Sequence, residues 1–388
     1  MIGRKFTVLG AGIGGLTAAI ALARRGAQVT ILEQAAGIRE VGAGLQISPN
    51  GAVVLDALGL GPELDRIGRR ARAVQLQDYR SGPVARLNVD KGRGYYFVHR
   101  ADLINMLAQA ARALGVRMRL LQQVSTVEIA EDGVYLTTLQ GAQHRCDTLI
   151  GADGIHSVVR QAIGAGVPAP VFTGQVAWRM TVPMDTVQPD EVTVHMGPGR
   201  HLVRYPLRDG QLINIVAVEE RDEWAEESWS QVDDPARMRA AFAGFCPQVR
   251  ALLERVDRVH LWGLFRHPVA DQWYKGGAVI LGDAAHPTLP FMAQGANMAL
   301  EDAWVLSTAL ARHATSAKAL AAYQAARRTR CARIVDAASR NARNYHLRFP
   351  PLRFAAHSTL RLTGRMAPDR LLSRFDWLYN HDVTAQAV

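Results

Sequence analysis

The chain has 388 residues, of which 48% are hydrophobic and 21% are charged. This predicts a globular protein with two or three structural units. It excludes a transmembrane protein, because no apolar run approaches the eighteen or so residues that span a bilayer. The three cysteines are far apart and form no C-x-x-C pair, which argues against a disulfide framework or zinc site and predicts a reducing, cytoplasmic location.

The formal charge of +10 comes from the C-terminal part of the chain. Between Arg312 and Arg374 there are thirteen arginines and one lysine against two acidic residues, so the rest of the chain is close to neutral. The sequence shows none of the aromatic and basic interleaving of a nucleic-acid-binding module. We therefore predict a solvated or interface-forming helical face and no nucleic-acid partner.

A strand, a glycine-rich turn, a helix and a second strand follow one another in residues 5–34. Gly10, Gly12 and Gly15 form a G-x-G-x-x-G pattern, whose glycines permit a tight turn, close approach to a pyrophosphate and close helix–strand packing. The helix N-terminus points free N–H groups and a positive dipole end at the phosphates. Glu33 ends the second strand, eighteen residues after Gly15, where its carboxylate can accept hydrogen bonds from a ribose. The order of these features predicts dinucleotide binding.

The next part of the chain is predicted to alternate between helices and strands. The predicted elements are helices over Leu16–Arg25 and Gly51–Leu58, strands over Ala73–Asp78 and Val84–Val89, a helix that opens at Phe97 and runs to about Leu114, and strands over Val116–Leu121 and Thr148–Ala152. Arg39 and Gln46 lie in a glycine-rich loop before the second helix. Arg100 lies at a helix start, where it could reach a phosphate or pair with Asp102.

From residue 171 the pattern changes to successive strands. They are predicted over Val176–Val182, Glu191–Met196, His201–Tyr205, Leu212–Val218 and, after a helix over Asp233–Phe245, Val256–Phe265. This spacing predicts an antiparallel sheet that is distinct from the nucleotide domain. The nucleotide domain then resumes with a buried strand over Ala278–Leu281, and helical sequence continues to the end of the chain with breaks near Pro350 and Pro368.

The predicted fold class is therefore α/β, with a Rossmann-like nucleotide-binding domain, an inserted antiparallel substrate sheet and a C-terminal helical tail. The nucleotide-binding domain is expected over residues 1–72, 98–170 and 268–330. The substrate sheet is expected over residues 73–97 and 171–267, and the tail over residues 331–388.

Three loops in this order resemble those of the single-component, FAD-dependent aromatic hydroxylases, the family of p-hydroxybenzoate and salicylate hydroxylases. They are Gly10–Gly15, Asp153-Gly154 and Gly282-Asp283. The resemblance covers roughly residues 5–309 and implies a p-hydroxybenzoate hydroxylase-like fold with bound FAD. NADH or NADPH is implied as a transient electron donor and O2 as co-substrate. The chain carries no second G-x-G-x-x-G with a following acid, so the pyridine nucleotide is expected to bind without a Rossmann unit of its own.

The resemblance also implies which residues contact FAD. The residues expected to bind it are Gly10, Gly12, Gly14, Gly15, Glu33, Gln34, Arg39, Arg100, Asp153, Gly154, Gly282, Asp283, Pro287, Gly295, Ala296 and Asn297. In that family the carboxylate of a residue like Asp283 binds the ribityl chain. A residue like Asp153 lies between the flavin and the pyridine-nucleotide region, and a backbone like that of Pro287 lies close to the reacting oxygen.

In this family oxygen reaches the ring through a flavin C4a-hydroperoxide, so the protein must exclude water and draw a proton off a phenol. His195, His201 and Tyr205 are candidates on adjacent strands, and the last two share one face because they are four residues apart. The stretch 199–210 resembles the subgroup of 3-hydroxybenzoate 6-hydroxylase and 6-hydroxynicotinate 3-monooxygenase. That resemblance implies His201 as the base and Tyr205 as its helper. A histidine satisfied within the sheet is the alternative.

The same subgroup guides the expected substrate contacts. Gln46 occupies a position that is histidine in the 6-hydroxynicotinate enzymes, which favours a benzenoid phenol over a hydroxypyridine. Trp178 could offer a ring face and Arg179 a carboxylate clamp, with core packing as the alternative for Trp178. Phe291 is expected at the flavin edge, and Gln294 is a candidate for orienting the substrate. No metal site is predicted.

The predicted function is an FAD-dependent, NAD(P)H-driven monooxygenase that hydroxylates a phenolic aromatic acid of the hydroxybenzoate or salicylate type. Hydroxylation of an N-heteroaromatic such as a hydroxynicotinate stays open. So does a reductase or halogenase of the same fold, although the W-x-W-x-I-P signature of such halogenases is missing. A third hypothesis is a flavin-binding interaction protein whose basic tail meets a membrane surface. A homodimer contact or packing onto the FAD domain is a more ordinary use of that tail.

Overall fold

The computed structural model describes residues 1–38, 43–80, 82–90, 92, 94–164, 169–221 and 232–386, without the side chains of residues 342 and 368. The strands are β1 (Lys5–Leu9), β2 (Gln28–Leu32), β3 (Gly44–Ile47), β4 (Gly68–Arg70), β5 (Ala73–Asp78), β6 (Gly82–Asn88), β7 (Tyr96–His99), β8 (Arg117–Arg119), β9 (Val124–Ala130), β10 (Gly133–Thr138), β11 (Gln143–Cys146), β12 (Leu149–Gly151), β13 (Val171–Pro183), β14 (Glu191–Gly197), β15 (Arg200–Leu207), β16 (Leu212–Glu220), β17 (Val232–Asp233), β18 (Val259–Arg266), β19 (Tyr274–Lys275) and β20 (Ala278–Ile280). The helices are α1 (Ile13–Ala23), α2 (Pro49–Ala57), α3 (Gly61–Ile67), α4 (Arg100–Ala113), α5 (Val158–Ile163), α6 (Pro235–Ala241), α7 (Pro247–Glu254), α8 (Gly295–Arg312), α9 (Ser316–Tyr345), α10 (Pro350–Met366), α11 (Pro368–Ser373) and α12 (Asp376–Tyr379).

A six-stranded sheet in the order β19-β20-β12-β1-β2-β8 forms the nucleotide-binding layer. All of its strands are parallel to their neighbours except β19. Because β1, β12 and β20 are adjacent and parallel, the loops that follow them lie side by side at one edge of the sheet. These are the loops with Gly10–Gly15, Asp153-Gly154 and Gly282-Asp283. Ligands of open α/β sheets bind outside this carboxyl edge.

An eight-stranded sheet in the order β17-β18-β13-β16-β15-β14-β5-β6 forms the second layer. It is antiparallel apart from the parallel pair β5–β14, through which the β5–β6 hairpin joins the later strands. One face packs against α6 and α7 in a core of its own, and the other face is turned toward the nucleotide layer. The predicted fold class is confirmed, with this one parallel pair as an addition.

Two local expectations were wrong. The helix that was predicted to open at Phe97 begins at Arg100, because Tyr96–His99 forms β7 and pairs with β3 and β4. The predicted helix over Asp233–Phe245 forms only over Pro235–Ala241, where Asp234 caps its start by accepting a hydrogen bond from the backbone of Ala236.

The tail is joined to the nucleotide layer by one continuous helix. α9 runs through residue 330, where the sequence placed the end of the FAD domain, and its buried Cys331 and Ile334 belong to the core of that layer. α10 packs on β6 and exposes Phe354 and Met366 to solvent. Within the described part of the chain, no helix combines the length and apolarity needed to cross a membrane. The homodimer and the weak lipid contact stay predictions.

Candidate active site

One cavity of about 1230 Å³ lies between the carboxyl edge of the parallel sheet and the inner face of the eight-stranded sheet. Its wall at one end includes the glycine loop after β1 and Glu33, and at the other end His201 and Tyr205 of β15. A site for one small ligand typically has a volume of roughly 300–1,000 Å³. The cavity therefore has room for a dinucleotide together with a second, smaller molecule.

The three glycines after β1 differ in what surrounds them. A Cβ on Gly10, whose φ is +104°, would lie 2.4 Å from the carbonyl oxygen of Ala152, and a Cβ on Gly15 would lie 2.0 Å from that of Gly10. A Cβ on Gly12 would meet nothing within 4 Å. Gly10 and Gly15 are thus required by packing, while Gly12 presents bare backbone to open space at the start of α1. This is the arrangement that admits a pyrophosphate to the helix N-terminus.

The carboxylate of Glu33 is held at the end of β2. One of its oxygens accepts a hydrogen bond from the backbone N–H of Ala11 at 2.7 Å, and the other accepts from that of Ala35 at 2.8 Å. Each carboxylate oxygen has a second lone pair, so the group can still accept hydrogen bonds from a diol. Glu33 and the exposed Gln34 beside it both line the cavity.

The carboxylate of Asp283 and the side chain of Arg100 both line the cavity. Asp283 follows Gly282, whose φ is +61°, and its side chain is open to the cavity. The surrounding protein raises the pKa of Asp283 by desolvation, although His286 and Arg100 act in the opposite direction. Gly295 lies at the N-terminus of α8 and also lines the cavity. Helix N–H groups and a cavity-facing acid can together bind the polar chain and ring edge of a flavin.

Two further residues that were expected to bind the cofactor also line the cavity. Ala296 follows Gly295 in the first turn of α8, and Gly154 has a φ of +76° in the loop after β12. Arg100 also lines the cavity. Asp102, its alternative partner, accepts hydrogen bonds from Arg208 at 3.2 Å.

Three expected cofactor residues have side chains that serve the protein itself. Asp153 accepts a hydrogen bond from Ser157 Oγ at 2.6 Å and from the backbone N–H of Val159 at 3.2 Å, so its carboxylate fixes the start of α5. Asn297 donates to the backbone oxygen of Gln46 at 3.0 Å and holds β3 against α8. Pro287 is buried, and the wall beside the flavin position is formed by the residues after it, from Thr288 to Met292. Arg39 lies outside the described residues.

His201 forms the far end of the cavity. Its ring is 1% exposed, and its Nδ1 lies 2.6 Å from Nε2 of His346, at the end of α9. The rings of Phe291 and Tyr345 lie 5.6 and 5.1 Å from the His201 ring, centroid to centroid. Burial, and next the neighbouring His346, hold the pKa of His201 well below its usual value. The imidazole is therefore neutral at physiological pH, and one of its ring nitrogens has a free lone pair.

Tyr205 lies four residues after His201 in β15, so its side chain is on the same face of the sheet. Its ring stacks on Phe97 at 5.1 Å, and burial raises the pKa of its phenol. Gln46 hydrogen-bonds the Tyr205 hydroxyl and also accepts a hydrogen bond from the hydroxyl of Tyr95 at 2.6 Å. Tyr205, Gln46 and Tyr95 all line the cavity, so they form a polar line of hydrogen-bonded side chains in its wall.

Trp178 does not contact the cavity, and the prediction that it binds substrate was wrong. Successive residues of a strand point to opposite faces, so Trp178 and Arg179 are separated by the sheet. Trp178 is fully buried in the second core, where its Nε1 donates to Asp233 at 2.8 Å. Arg179 lines the cavity, and its guanidinium lies 4.4 Å from the centroid of the Trp262 ring.

The same alternation removes His195 from the list of candidate bases. It is fully buried on the face turned away from the cavity, where Arg204 Nε lies 3.4 Å from its Nε2. Burial, with a smaller effect of Arg204, lowers the pKa of His195 to about 3. Of the three candidates on β14 and β15, His201 and Tyr205 are the two that the fold brings to the cavity.

Phe291 and Gln294 both line the cavity, but the amide of Gln294 is bonded within the protein. The Gln294 amide nitrogen donates to Ser48 Oγ at 3.0 Å, and its oxygen accepts from Asn50 at 3.1 Å. Gln294 is 1% exposed, so it holds the turn that precedes α8. The structure gives its side chain a supporting position rather than an open group for orienting a substrate.

A buried ion network under the flavin position was missed by the sequence. Asp302 accepts a hydrogen bond from the backbone N–H of Gly282 at 3.0 Å, from His286 Nε2 at 2.5 Å and from Arg327 Nε at 2.7 Å. Burial alone would raise the pKa of Asp302, but His286 and Arg327 lower it to about 2. Arg327 also pairs with the buried Glu301. The network fixes the Gly282-Asp283 turn against α8.

Other residues of the site also escaped sequence reasoning. Asn341, Tyr345 and His346 lie near the end of α9, and Trp262 lies on β18 under Arg179. In the sequence, the first three look like ordinary residues of an arginine-rich helix. For Trp262 a weak signal existed, because the two-residue period of β18 separates it from the buried Leu261.

The fold and the cavity define a dinucleotide-binding flavoprotein with a second site over a β-sheet. The family model described as FAD binding domain matches residues 5–338, and the chain belongs to that family. A 3-amino-4-hydroxybenzoate 2-monooxygenase from Streptomyces cremeus is 37% identical over 355 residues, covering 88% of both proteins. A 3-hydroxybenzoate 6-hydroxylase from Polaromonas naphthalenivorans (strain CJ2) is 35% identical over 404 residues, covering 97% of this chain and 96% of the other.

A solved structure shows the same architecture. Klebsiella pneumoniae HpxO, complexed with FAD and uric acid, has a TM-score of 0.85 and 27% identity, covering 96% of both chains. The chain is an FAD-dependent monooxygenase of the aromatic hydroxylase type, with NAD(P)H and O2 as co-substrates. The predicted cofactor and enzyme class are confirmed.

Gly12 and Gly15 give a paired test of the cofactor site. Gly12→Ala is expected to weaken FAD binding about 10- to 100-fold, because the added methyl displaces the pyrophosphate and loses a charge-assisted hydrogen bond of about 1.5–3 kcal/mol. The apoprotein should melt at the wild-type temperature, since the methyl enters open space. Gly15→Ala should instead lower the melting temperature of the apoprotein, because of its contact with Gly10. FAD titration and thermal melts of the apoproteins measure both effects. Wild-type FAD affinity in Gly12→Ala would contradict the assignment.

Proposed function

We propose that this enzyme hydroxylates a phenolic aromatic acid of the hydroxybenzoate or salicylate class. One observation carries the proposal. The cavity lined by the three glycine-containing loops is also lined by the neutral, buried imidazole of His201 and by the guanidinium of Arg179. Both of these side chains lie on the same face of the eight-stranded sheet. A phenol needs a base for its proton, and a carboxylate needs a cation. The named activities of the two relatives, on an aminohydroxybenzoate and on 3-hydroxybenzoate, point to the same class.

Bound FAD supplies the redox chemistry, taking electrons from the pyridine nucleotide and activating O2 for transfer of one oxygen atom to an aromatic ring. The protein supplies position, a base and the exclusion of water. His201 Nε2 accepts the phenol proton, which makes the ring more nucleophilic at the positions ortho and para to the oxygen. The polar line of Tyr205, Gln46 and Tyr95 provides hydrogen bonds in the wall of the cavity.

The rest of the cavity wall is suited to excluding water. Val216, Val218, Leu264, Leu289 and Phe291 surround the position between His201 and the α8 turn. An apolar enclosure strengthens the electrostatic interactions inside it. It also keeps water away from the activated oxygen, which prevents side reactions with solvent. Asp283 and the start of α8 face this enclosure from the cofactor side.

The test is a panel of 3-hydroxybenzoate, salicylate, 3-amino-4-hydroxybenzoate and 6-hydroxynicotinate, offered to the FAD-loaded enzyme with NADH and with NADPH. We expect a hydroxybenzoate to accelerate NAD(P)H oxidation and to give a product with one oxygen atom from 18O2. Faster oxidation with the hydroxynicotinate than with any benzoate would favour an N-heteroaromatic substrate. Oxidation without oxygen uptake would indicate a reductase. If no ligand accelerates flavin reduction, the proposal fails.

Arg179 gives a sharper test of the acid group. Arg179→Gln is expected to raise KM about 10- to 100-fold for the carboxylate substrate, because a hydrogen bond to a charged group contributes about 1.5–3 kcal/mol. The corresponding phenol without a carboxylate should be little affected. Arg204→Gln is the matched control, since Arg204 is also on this sheet and approaches His195 on the opposite face. Equal losses with the acid and the phenol would contradict a carboxylate clamp.

We also propose a cytoplasmic location, supported by three free thiols at Cys146, Cys246 and Cys331.

A homodimer contact through the tail is proposed as well. Its support is the exposed apolar side chains of α10, Phe354, Leu362 and Met366, which lie between arginines.

A further inference from the structure

Three hydrogen-bonded titratable groups lead from the cavity to the protein surface. His201 Nδ1 lies 2.6 Å from His346 Nε2, and His346 Nδ1 lies 2.9 Å from a carboxylate oxygen of Glu220. The exposed fraction of the side chain rises from 1% in His346 to 27% in Glu220. The other oxygen of Glu220 pairs with the exposed Arg348 at 2.7 Å. The groups come from β15, the residue after α9 and β16, so tertiary folding alone creates the line.

The carboxylate determines the tautomer of both histidines. An ionised carboxylate only accepts hydrogen bonds, so Nδ1 of His346 carries the proton that it donates to Glu220. A neutral His346 then has a lone pair on Nε2, which must accept from Nδ1–H of His201. The lone pair of His201 is thereby placed on Nε2, the nitrogen left for the cavity. Glu220 thus prepares His201 as a base without touching it.

The surroundings keep His346 neutral and bonded to Glu220. Burial lowers the pKa of His346, although Glu220 acts against it, and Arg348 and Arg200 lower it further. The amide of Gln175 lies 3.5 Å from His346 Nδ1, too far to compete with the carboxylate at 2.9 Å. The rings of Phe291, Tyr345 and His346 pack around His201.

A base as deeply buried as His201 has a problem that this line solves. If His201 kept the proton taken from a phenol, it would become a buried cation, which is costly without a partner. If it passes a proton along the line, the charge change moves to Glu220 at the surface. The phenolate then forms without a charged imidazole beside it.

We propose that His201, His346 and Glu220 form a proton relay between the active-site cavity and solvent. This inference rests on the proposed function, the hydroxylation of a phenol. As the phenol O–H bond breaks, its proton binds His201 Nε2, the proton on His201 Nδ1 moves to His346 Nε2, and that on His346 Nδ1 moves to Glu220. The products are a phenolate and a carboxylic acid, and Glu220 releases its proton to water. The reverse sequence returns a proton to the product oxygen.

The test uses Glu220→Gln in the FAD-loaded enzyme, with Glu219→Gln as matched control. Glu219 is the adjacent residue of the same strand, and it pairs with Arg200 and Arg221. In the wild type, 15N NMR of labelled histidines should show a proton on Nδ1 of both His201 and His346. Variants His201→Gln and His346→Gln assign the two signals. Glu220→Gln should remove this preference, and Glu219→Gln should preserve it.

Two functional measurements on Glu220→Gln complement the NMR assignment of the tautomers. The pH midpoint at which a bound hydroxybenzoate becomes phenolate, followed by its absorbance, should rise in Glu220→Gln. The kcat of hydroxylation should fall about 10- to 100-fold with little change in KM, a part of the typical contribution of acid–base catalysis. His346→Gln, which interrupts the line at its centre, should show the same pattern.

The outcomes separate the relay from the function it serves. Hydroxylation and phenolate formation that are unchanged in Glu220→Gln overturn the relay alone. Tautomers opposite to those assigned overturn it before any substrate is added. If the tautomers are as assigned but no phenol is hydroxylated, the proposed function fails and takes the relay with it.

Discussion

Replacing His201 by glutamine is expected to lower kcat for hydroxylation by about 10²- to 10⁴-fold, the typical contribution of a positioned base. Glutamine keeps a polar side chain of similar length but cannot accept a proton near neutral pH. FAD should remain bound, because His201 lies on β15, away from the loops that follow β1, β12 and β20. The measurement is product formation under saturating phenolic acid and pyridine nucleotide, with bound flavin followed by its absorbance.

The control is His195→Gln, which changes the same residue type on the neighbouring strand. His195 is as buried as His201 but lies on the opposite face of the sheet. Its replacement should change kcat by no more than a few fold, whatever it costs in stability. Equal losses of kcat in the two variants would mean that a disturbed sheet, and not a missing base, explains the effect of His201→Gln.

The pH dependence of kcat/KM gives a second test of His201 as the base. Because burial lowers the pKa of His201 below its usual value of 6.5, the imidazole stays unprotonated in solutions more acidic than that value. The wild-type kcat/KM should therefore decrease only below about pH 6.5, as His201 becomes protonated. This acid limb should be missing from the profile of His201→Gln. A wild-type midpoint above pH 7 would contradict a buried neutral base.

Local patterns predicted the three loops that meet at the cavity. The strand before each of the three loops is short and apolar, and parallel pairing of β1, β12 and β20 then brings the loops together at one edge. The glycines after β1 and Glu33 all belong to one βαβ unit, so the local sequence is enough to predict where they lie. Arg179 lines the cavity, but Trp178, which was expected beside it, lies on the opposite face because successive residues of a strand alternate.

The substrate half depends on contacts between distant segments. His346 reaches His201 across 145 residues of sequence, and Glu220 reaches His346 across 126. Neither pairing leaves a local signal, because each residue is only one polar group among many in its own element. The start of β7 was also missed, since the segment around Phe97 pairs with β3 and β4 rather than extending α4. The positions of residues that support His201, such as His346 and Glu220, are therefore determined by tertiary packing.

The buried network beneath the flavin position is the clearest case of such support. Arg327 is 1% exposed and pairs with both Glu301 and Asp302, each of which is fully buried. Arg330 pairs with Glu301 at 2.8 Å. Two arginines of the basic segment between Arg312 and Arg374 therefore neutralise acids of α8, so part of the charge that looked like a surface feature lies inside the protein.

Arg327→Met is expected to destabilise the enzyme by about 3–5 kcal/mol, because it leaves two carboxylates buried without their shared cation. Urea unfolding of the apoprotein measures the loss. Arg340→Met, on the exposed side of the same helix, is the matched control and should change stability by no more than about 0.5 kcal/mol. FAD affinity should fall as well, because Asp302 holds the backbone N–H of Gly282 next to Asp283.

Acid gives an independent check on this network. The pKa of Asp302 is lowered to about 2 in the folded protein, against about 3.9 for an exposed aspartate. Its contribution to stability is therefore complete above about pH 4 and is lost as the pH falls through 2. In Arg327→Met the pKa of Asp302 should rise, so the variant should lose stability at a higher pH than the wild type. If both proteins unfold along the same acid profile, Arg327 does not supply the stabilising charge, and its role is limited to packing between α8 and α9.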